Sequence, residues 1–326
     1  MRKNTVPVLV CILWSLTLSA QKPSAQNKSL NFTDHQCIIP FRMVDRLMII
    51  ESSINGVTGF LCLDTGIEGL VIHDKYFEAG KAETTIVSSN GRTVASGCTY
   101  AMVEFACFSR EVWNSKVMNL DHLTSNPVAR VIGLVGWDMF KGFELQIDFR
   151  NRILRLFELD DQGNKIGRSN LSMPTLQTLP FRFKGPLPFL EARVGEEKLR
   201  LILDTGASVN VMRKPLYKRL SPFCRFLRML KLRSWDTNVS EVPLTEVSGL
   251  MLGDVRLETM NTVWYDLHNL NVELEGPEMD GILGQELLKQ YLLAINFTTL
   301  KLLLYHYEDA PLDSVVSKVP KVTADN

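Results

Sequence analysis

"LILDTGASVNVM", residues 201–212, drives a carboxylate into an apolar run. Three apolar residues lead straight into Asp204-Thr205-Gly206, and a second apolar run follows. A buried, ionised Asp is costly unless another group pairs with it or shares its charge. "FLCLDTGIEGLVI", residues 60–72, has the same design around Asp64-Thr65-Gly66. One such stretch fits a structural Asp that holds a turn through its own side chain. Two in one chain imply carboxylates that meet.

The surroundings of the two triplets repeat as well. Residues 39–66 align without a gap on 179–206, at an offset of 140. Pro40, Phe41, Arg42, Leu47, Glu51, Leu61 and Leu63 recur with the triplet. The repeat resumes where "GLVGWDMFKGFELQIDFRNRILRL" (133–156) meets "GILGQELLKQYLLAINFTTLKLLL" (281–304), now at an offset of 148. The second half therefore holds eight extra residues between its matched blocks. This spacing predicts two domains, 39–157 and 179–305, joined by a polar, turn-rich linker at 158–178. Residues 306–326 read as a loose polar tail.

Within each half the pattern is mostly β. Runs such as "RLMIIESSI", "YAMVEFACF" and "RILRLF" alternate or stay apolar over strand lengths between turn residues. Asn90-Gly91 is a strong hairpin signal. Short helices are expected at "DKYFEAG" (74–80) and "GQELLKQYL" (284–292), and a longer one within 212–233. That last run carries eight Lys or Arg and no acid. It reads as a solvated helix face rather than a site for an acidic partner.

Two Asp residues on equivalent strands of two similar halves imply a pseudo-twofold axis between them. Two carboxyls beside such an axis cannot both ionise cheaply, so they share a proton and titrate apart. The ionised member can take a proton from water while the protonated one polarises a carbonyl. That chemistry adds water to an amide.

The chain resembles the aspartic proteases of the retropepsin–pepsin clan, in a bacterial-type, secreted, single-chain form. The residues that carry this are Leu203-Asp204-Thr205-Gly206-Ala207-Ser208, "DGILG" (280–284), "GLVG" (133–136) and Asn90-Gly91, which lies about where that family has its flap tip. The resemblance implies an all-β fold of two closed retropepsin-like barrels related by a pseudo-twofold axis. It implies Asp64 and Asp204 as the catalytic dyad, with Thr65 and Thr205 interlocked beneath it. Gly66 and Gly206 would let backbone approach the carboxyls. Glu68, Ser208, Asn90 and Gly91 would contact an extended peptide, under a hairpin around 84–98 and a possible partner around 233–245. No cofactor and no metal are expected. Ile67 and Glu68 depart from the family pattern in the first half. Neither Ile67 nor Ala207 offers the hydroxyl that lowers carboxyl pKa values in pepsin-type sites, so a mildly acidic to neutral pH optimum is expected.

The function this predicts is peptide-bond hydrolysis by an aspartic endopeptidase. The alternatives are a non-catalytic peptide-binding protein on the same fold, and an inhibitor or scaffold acting through 212–233. Keeping both aspartates favours the enzyme.

Composition is ordinary for a globular chain of 326 residues, 45% hydrophobic and 22% charged. With 36 basic and 36 acidic residues, no global field steers it toward nucleic acid. Residues 1–20 read as a signal peptide: Arg2 and Lys3, a short apolar run, then Ser19-Ala20. The run is too short to span a bilayer. A secreted or periplasmic, monomeric protein without stable membrane insertion is expected, acting on peptide or protein substrates. Segment 21–38 could be a pro-piece. Five cysteines follow residue 20, an odd count. Cys62 reads as a buried strand thiol, and Cys98 and Cys107 could pair. Trp113, Trp137, Trp235 and Trp264 read as core or cleft walls, and the sequon at Asn296, inside an expected strand, as accidental.

Overall fold

The computed structural model describes residues 8–10, 13–16, 28–29, 35–80, 82–88, 93–124, 126, 129–167, 174–234, 239–273 and 276–307. Their fold is mostly β and contains a closed six-stranded barrel. Strand Gln36–Val44 shows how the sequence writes it. Cys37, Ile39 and Phe41 point inward while Ile38, Pro40 and Arg42 face out, the period of a half-buried strand. Asn55 and Gly56 both take left-handed backbone and close the hairpin between Leu47–Ile54 and Val57–Leu63.

A run of six strands ties the halves together. Its order is Gln177–Pro180, Lys301–Tyr305, Leu292–Asn296, Phe143–Asp148, Ile153–Glu158, Gln36–Val44. Every residue of the central pair, Phe143–Asp148 and Leu292–Asn296, is buried, as befits strands covered on both faces. Their register carries the symmetry. Gln146 lies opposite Ala294, its own equivalent at the 148-residue offset, with Leu145 opposite Ile295 and Ile147 opposite Leu293. Each contact is matched by its mirror, the signature of an isologous twofold contact. The axis passes between Gln146 and Ala294. One apolar cluster runs across it and includes Leu61, Leu145, Leu201 and Leu293.

Each half then sends up a long hairpin. In the first, Ala82–Ser88 pairs with Thr93–Glu104. In the second, Cys224–Ser234 pairs with Val239–Val247. The expected flap tip, Asn90 and Gly91, lies outside the described residues. The outer edges of both hairpins accept short strands from the N-terminal segment. Val8–Val10 adds in parallel to Leu232–Ser234, and Leu13–Leu16 adds antiparallel to Thr85–Ser88.

Three expectations are corrected. Residues 212–233 do not form a helix. Short helical turns at Lys214–Phe223 lead into strand Cys224–Ser234, because its leucines alternate toward the core and a continuous partner strand is available. Residues 74–80 are turns rather than a helix. Cys107 is disulfide-bonded to Cys37, not to Cys98, across 70 residues. Both half-cystines are buried against the same apolar cluster, a proximity that chain spacing hides. Helix Gln285–Gln290 forms where expected. Trp137 and Trp264 are buried, but Trp113 is exposed and packs on Tyr100, and Trp235 lies outside the described residues. Asn296 is buried at a strand end and donates to Gly163 O. Tyr307, at the start of the expected tail, donates to Leu288 O, and residues 308–326 lie outside the described residues.

Candidate active site

Strand Val57–Leu63 runs into Asp64, and strand Glu197–Leu203 runs into Asp204. Each Asp-Thr-Gly loop is braced by the strand beside it. Asp64 N donates to Val135 O, and Asp204 N to Leu283 O, both at 3.0 Å. The glycines of "GLVG" and "GILG" are needed for this approach. A Cβ on Gly133 would fall 2.4 Å from Val71 O, and one on Gly281 2.3 Å from Val211 O.

Beneath the carboxyls the two threonines interlock. Thr65 N donates to Thr205 Oγ1 and Thr205 N to Thr65 Oγ1, each at 3.0 Å. The hydroxyls then donate across the axis, Thr65 Oγ1 to Leu203 O at 2.9 Å and Thr205 Oγ1 to Leu63 O at 3.2 Å. A serine could make the same bonds. The β-branched threonine is also stiff at χ1, which fixes the hydroxyl direction.

Asp64 and Asp204 are fully buried and face each other. Each holds its own loop, Gly66 N donating to Asp64 Oδ1 and Gly206 N to Asp204 Oδ1, both at 2.8 Å. No side chain fits at those glycines. A Cβ on Gly206 would lie 2.6 Å from Asp64 Cγ, and one on Gly66 2.9 Å from Asp204 Cγ. The Oδ2 atoms of both carboxyls are buried without a hydrogen-bond partner among the described residues.

Burial, then the charge of Asp204, raises Asp64 well above the usual carboxyl range. Burial also pushes Asp204 up to about 7, opposed by its hydrogen bonds from Asp64 and the Gly206 and Ala207 amides. The two carboxyls therefore hold one proton between them and titrate in two steps as a pair. Cys62, two residues before Asp64, is held protonated by burial and by that carboxylate, so it is no nucleophile.

The remaining expected residues divide. Ser208 is buried and Glu68 partly so, beside the dyad loops. Asn90 and Gly91 are outside the described residues. Several supporting groups are invisible in the motif. Lys116 Nζ donates to Glu68 O at 3.2 Å, Asp138 Oδ1 accepts Gly69 N at 2.5 Å, and Arg110 donates to Asp138 O and Lys141 O. Burial raises the Asp138 carboxyl and lowers Lys116, whose charge Asp138 and Glu68 support. In the second half two neutral side chains hold the loop. Gln285 donates to Thr205 O, and Gly284 N donates to Asn210 Oδ1. Asp138 and Glu286 each sit two residues past the second glycine of their signature, the only hint the sequence offered. Among the described residues, no three His, Cys, Asp or Glu side chains gather to hold a metal ion.

Residues 190–287 match a family model described as aspartyl protease. The matched stretch holds Asp204-Thr205-Gly206 and the supporting Gly281–Gly284, and it supports an aspartyl protease family for the chain. The first half supplies the mirrored loop outside that match. No curated protein matches the chain.

Proposed function

We propose that the chain is an aspartic endopeptidase whose dyad, Asp64 and Asp204, comes from two halves of one chain. The observation that carries this is the pair itself: two buried carboxyls, locked by reciprocal threonine bonds and sharing one proton. Such a pair is expensive for folding, and strongly raised carboxyls converging on one site favour an acid–base role.

In the working form Asp204 is ionised and Asp64 protonated. A water between them loses a proton to Asp204 as its oxygen attacks the peptide carbonyl carbon. Asp64 gives its proton to the carbonyl oxygen. The result is a tetrahedral diol, with the negative charge now on Asp64. Asp204 then protonates the amide nitrogen, Asp64 takes a proton from a diol hydroxyl, and the C–N bond breaks. The dyad returns to its starting charge. Acid–base steps of this kind contribute about 10² to 10⁴ in rate each.

The substrate is a peptide bound extended. The outer edges of both hairpins pair with extended N-terminal segment, one strand parallel and one antiparallel, which supports recognition of extended chain through main-chain bonds. Glu68 and Ser208 flank the peptide from either half. The protein acts as a monomer, exported by the apolar segment within residues 1–20, in the secreted or periplasmic space.

The test is incubation of the purified protein with a diverse peptide mixture, with and without a statine-type transition-state mimic, and sequencing of the fragments. Internal cleavage of many peptides supports an endopeptidase. Binding of peptides without any fragment would leave only a binding protein.

A further inference from the structure

The residue after each glycine signature reaches across to the other half. Trp137 follows Gly136 and Gln285 follows Gly284, and the two are equivalents at the 148-residue offset. Each clamps its own Asp-Thr-Gly loop by main chain. Trp137 N donates to Ile67 O at 3.3 Å and Gln285 N to Ala207 O at 2.8 Å. Each then sends its side chain to the opposite half. Trp137 Nε1 donates to Pro186 O at 2.8 Å, and Gln285 Nε2 donates to Arg46 O at 2.9 Å. Arg46 and Pro186 are themselves equivalents at the 140-residue offset, in the turns after Val44 and Lys184. Each loop is thereby tied to the opposite half at a second point, beyond the threonine lock.

The two ties differ in what they can do to a carboxyl. An indole has one N–H, and Pro186 O uses it. A primary amide has two, and Gln285 places the other on Thr205 O at 3.0 Å. Thr205 C=O and Gly206 N–H belong to one peptide group. Gly206 N in turn donates to Asp204 Oδ1 at 2.8 Å. A donor on the carbonyl polarises that peptide and strengthens the bond its N–H makes, the more so in a buried site. Gln285, Thr205 and Asp204 are all buried. A chain of bonds therefore runs from Gln285 through the backbone to one carboxyl of the pair, whereas the indole of Trp137 stops at Pro186.

We propose that Gln285 is a positioning residue that biases the shared proton toward Asp64, by strengthening the hold of the Gly206 amide on the Asp204 carboxylate and by pinning that loop to the turn at Arg46. It decides which of two mirrored carboxyls serves as the base, and so rests on the proteolytic reading. The other titratable groups are engaged elsewhere or shared. Asp204 faces Asp64, whose charge reaches the Cys62 thiol, kept neutral by burial. Glu286, next to Gln285, is held by Lys289 and Asn261. In the first half Glu68, Lys116 and Asp138 act on one another at Glu68 and Gly69.

Gln285→Met keeps an unbranched side chain and removes both donors. On a peptide the chain cleaves, the acidic limb of its kcat/KM profile should move up by about half a pH unit, because a weaker bond to the carboxylate favours its protonated form. Trp137→Phe removes the other cross-half donor, keeps a ring against Phe183 and Phe297, and should leave the limb in place. A limb that stays put in Gln285→Met overturns the proposal. So does an equal movement in both variants, which would make the effect a general loosening. A second readout needs no cleavage. The urea midpoint falls between pH 5 and pH 8 as the folded pair gives up its proton, and it should fall further in Gln285→Met than in wild type. An equal fall overturns the proposal, whereas a steeper fall in a chain that cleaves no peptide counts against the proteolytic reading alone. Gln285→Asn, which keeps the amide on a shorter stem, decides the matter in the same way if Gln285→Met does not fold.

Discussion

Replacing Asp204 by Asn should stabilise the protein while abolishing its activity, and the gain should grow with pH. The wild-type carboxyl is pushed from 3.8 up to about 7 by burial. Between those values the folded chain keeps a proton that the unfolded chain has lost. Stability must then fall as pH rises through the window, at about 1.4 kcal/mol per pH unit for one proton. From pH 5 to pH 8 the window contributes about 3 kcal/mol of loss. Asn does not titrate, keeps an oxygen to accept the Gly206 amide, and removes the charge facing Asp64. Loss of the Asp204 charge also lowers the raised Asp64 carboxyl in the variant, which adds to the widening rather than opposing it. Urea unfolding of wild type and Asp204→Asn at pH 5 and pH 8 reads the difference directly. The variant's advantage should widen by about 3 kcal/mol between the two conditions. An advantage that stays constant or narrows would show that Asp204 ionises normally in the folded state, and the shared-proton reading would fail.

Other outcomes follow from the same geometry. Thr65→Val deletes two of the four crossing hydrogen bonds and leaves the Thr205 amide unpaired, so it should cost about 1–3 kcal/mol in urea unfolding and lower kcat more than it raises KM. Gly206→Ala places a methyl 2.6 Å from Asp64 Cγ and should cut kcat/KM by about 10² through displacement of the carboxyl, with thermal unfolding showing whether the chain still folds. Cys37→Ser with Cys107→Ser opens a 70-residue loop and should cost about 4 kcal/mol, read as a shift in the urea midpoint. The pH–rate profile should have its acidic limb near 7, set by ionisation of Asp204 and far above that of an ordinary carboxyl. Ala207→Ser should move that limb down by offering a hydroxyl donor.

The two Asp-Thr-Gly loops were legible because their chemistry is local. An Asp at the end of an apolar strand, followed by Thr and Gly, dictates a buried carboxyl over a tight loop, and its recurrence at an offset of 140 dictates a partner. The central register was nearly legible, since the pairing of Gln146 with Ala294 follows from the 148-residue offset and a twofold axis. What stayed hidden depends on distance in the chain. Cys37 meets Cys107 only because Gln36–Val44 and the turn before Phe108 cover the same core. Lys116 is an unremarkable residue in a strand until the fold carries it under Glu68. The 212–233 segment misled because its cations suggest a solvated helix, whereas the bulge at Leu227 breaks the strand alternation that would have announced a hairpin.

The central claim is that one carboxyl from each half makes a single acid–base pair that cleaves peptides. Its most direct test is the rate of cleavage by Asp64→Asn and Asp204→Asn, each measured on the same cleaved peptide beside wild type and with folding verified by circular dichroism. Each variant alone should lose essentially all turnover, and a mixture of the two should recover none as long as the chain is a monomer. Near-normal cleavage by either variant would contradict the account, because it would leave one carboxyl doing the work assigned to two.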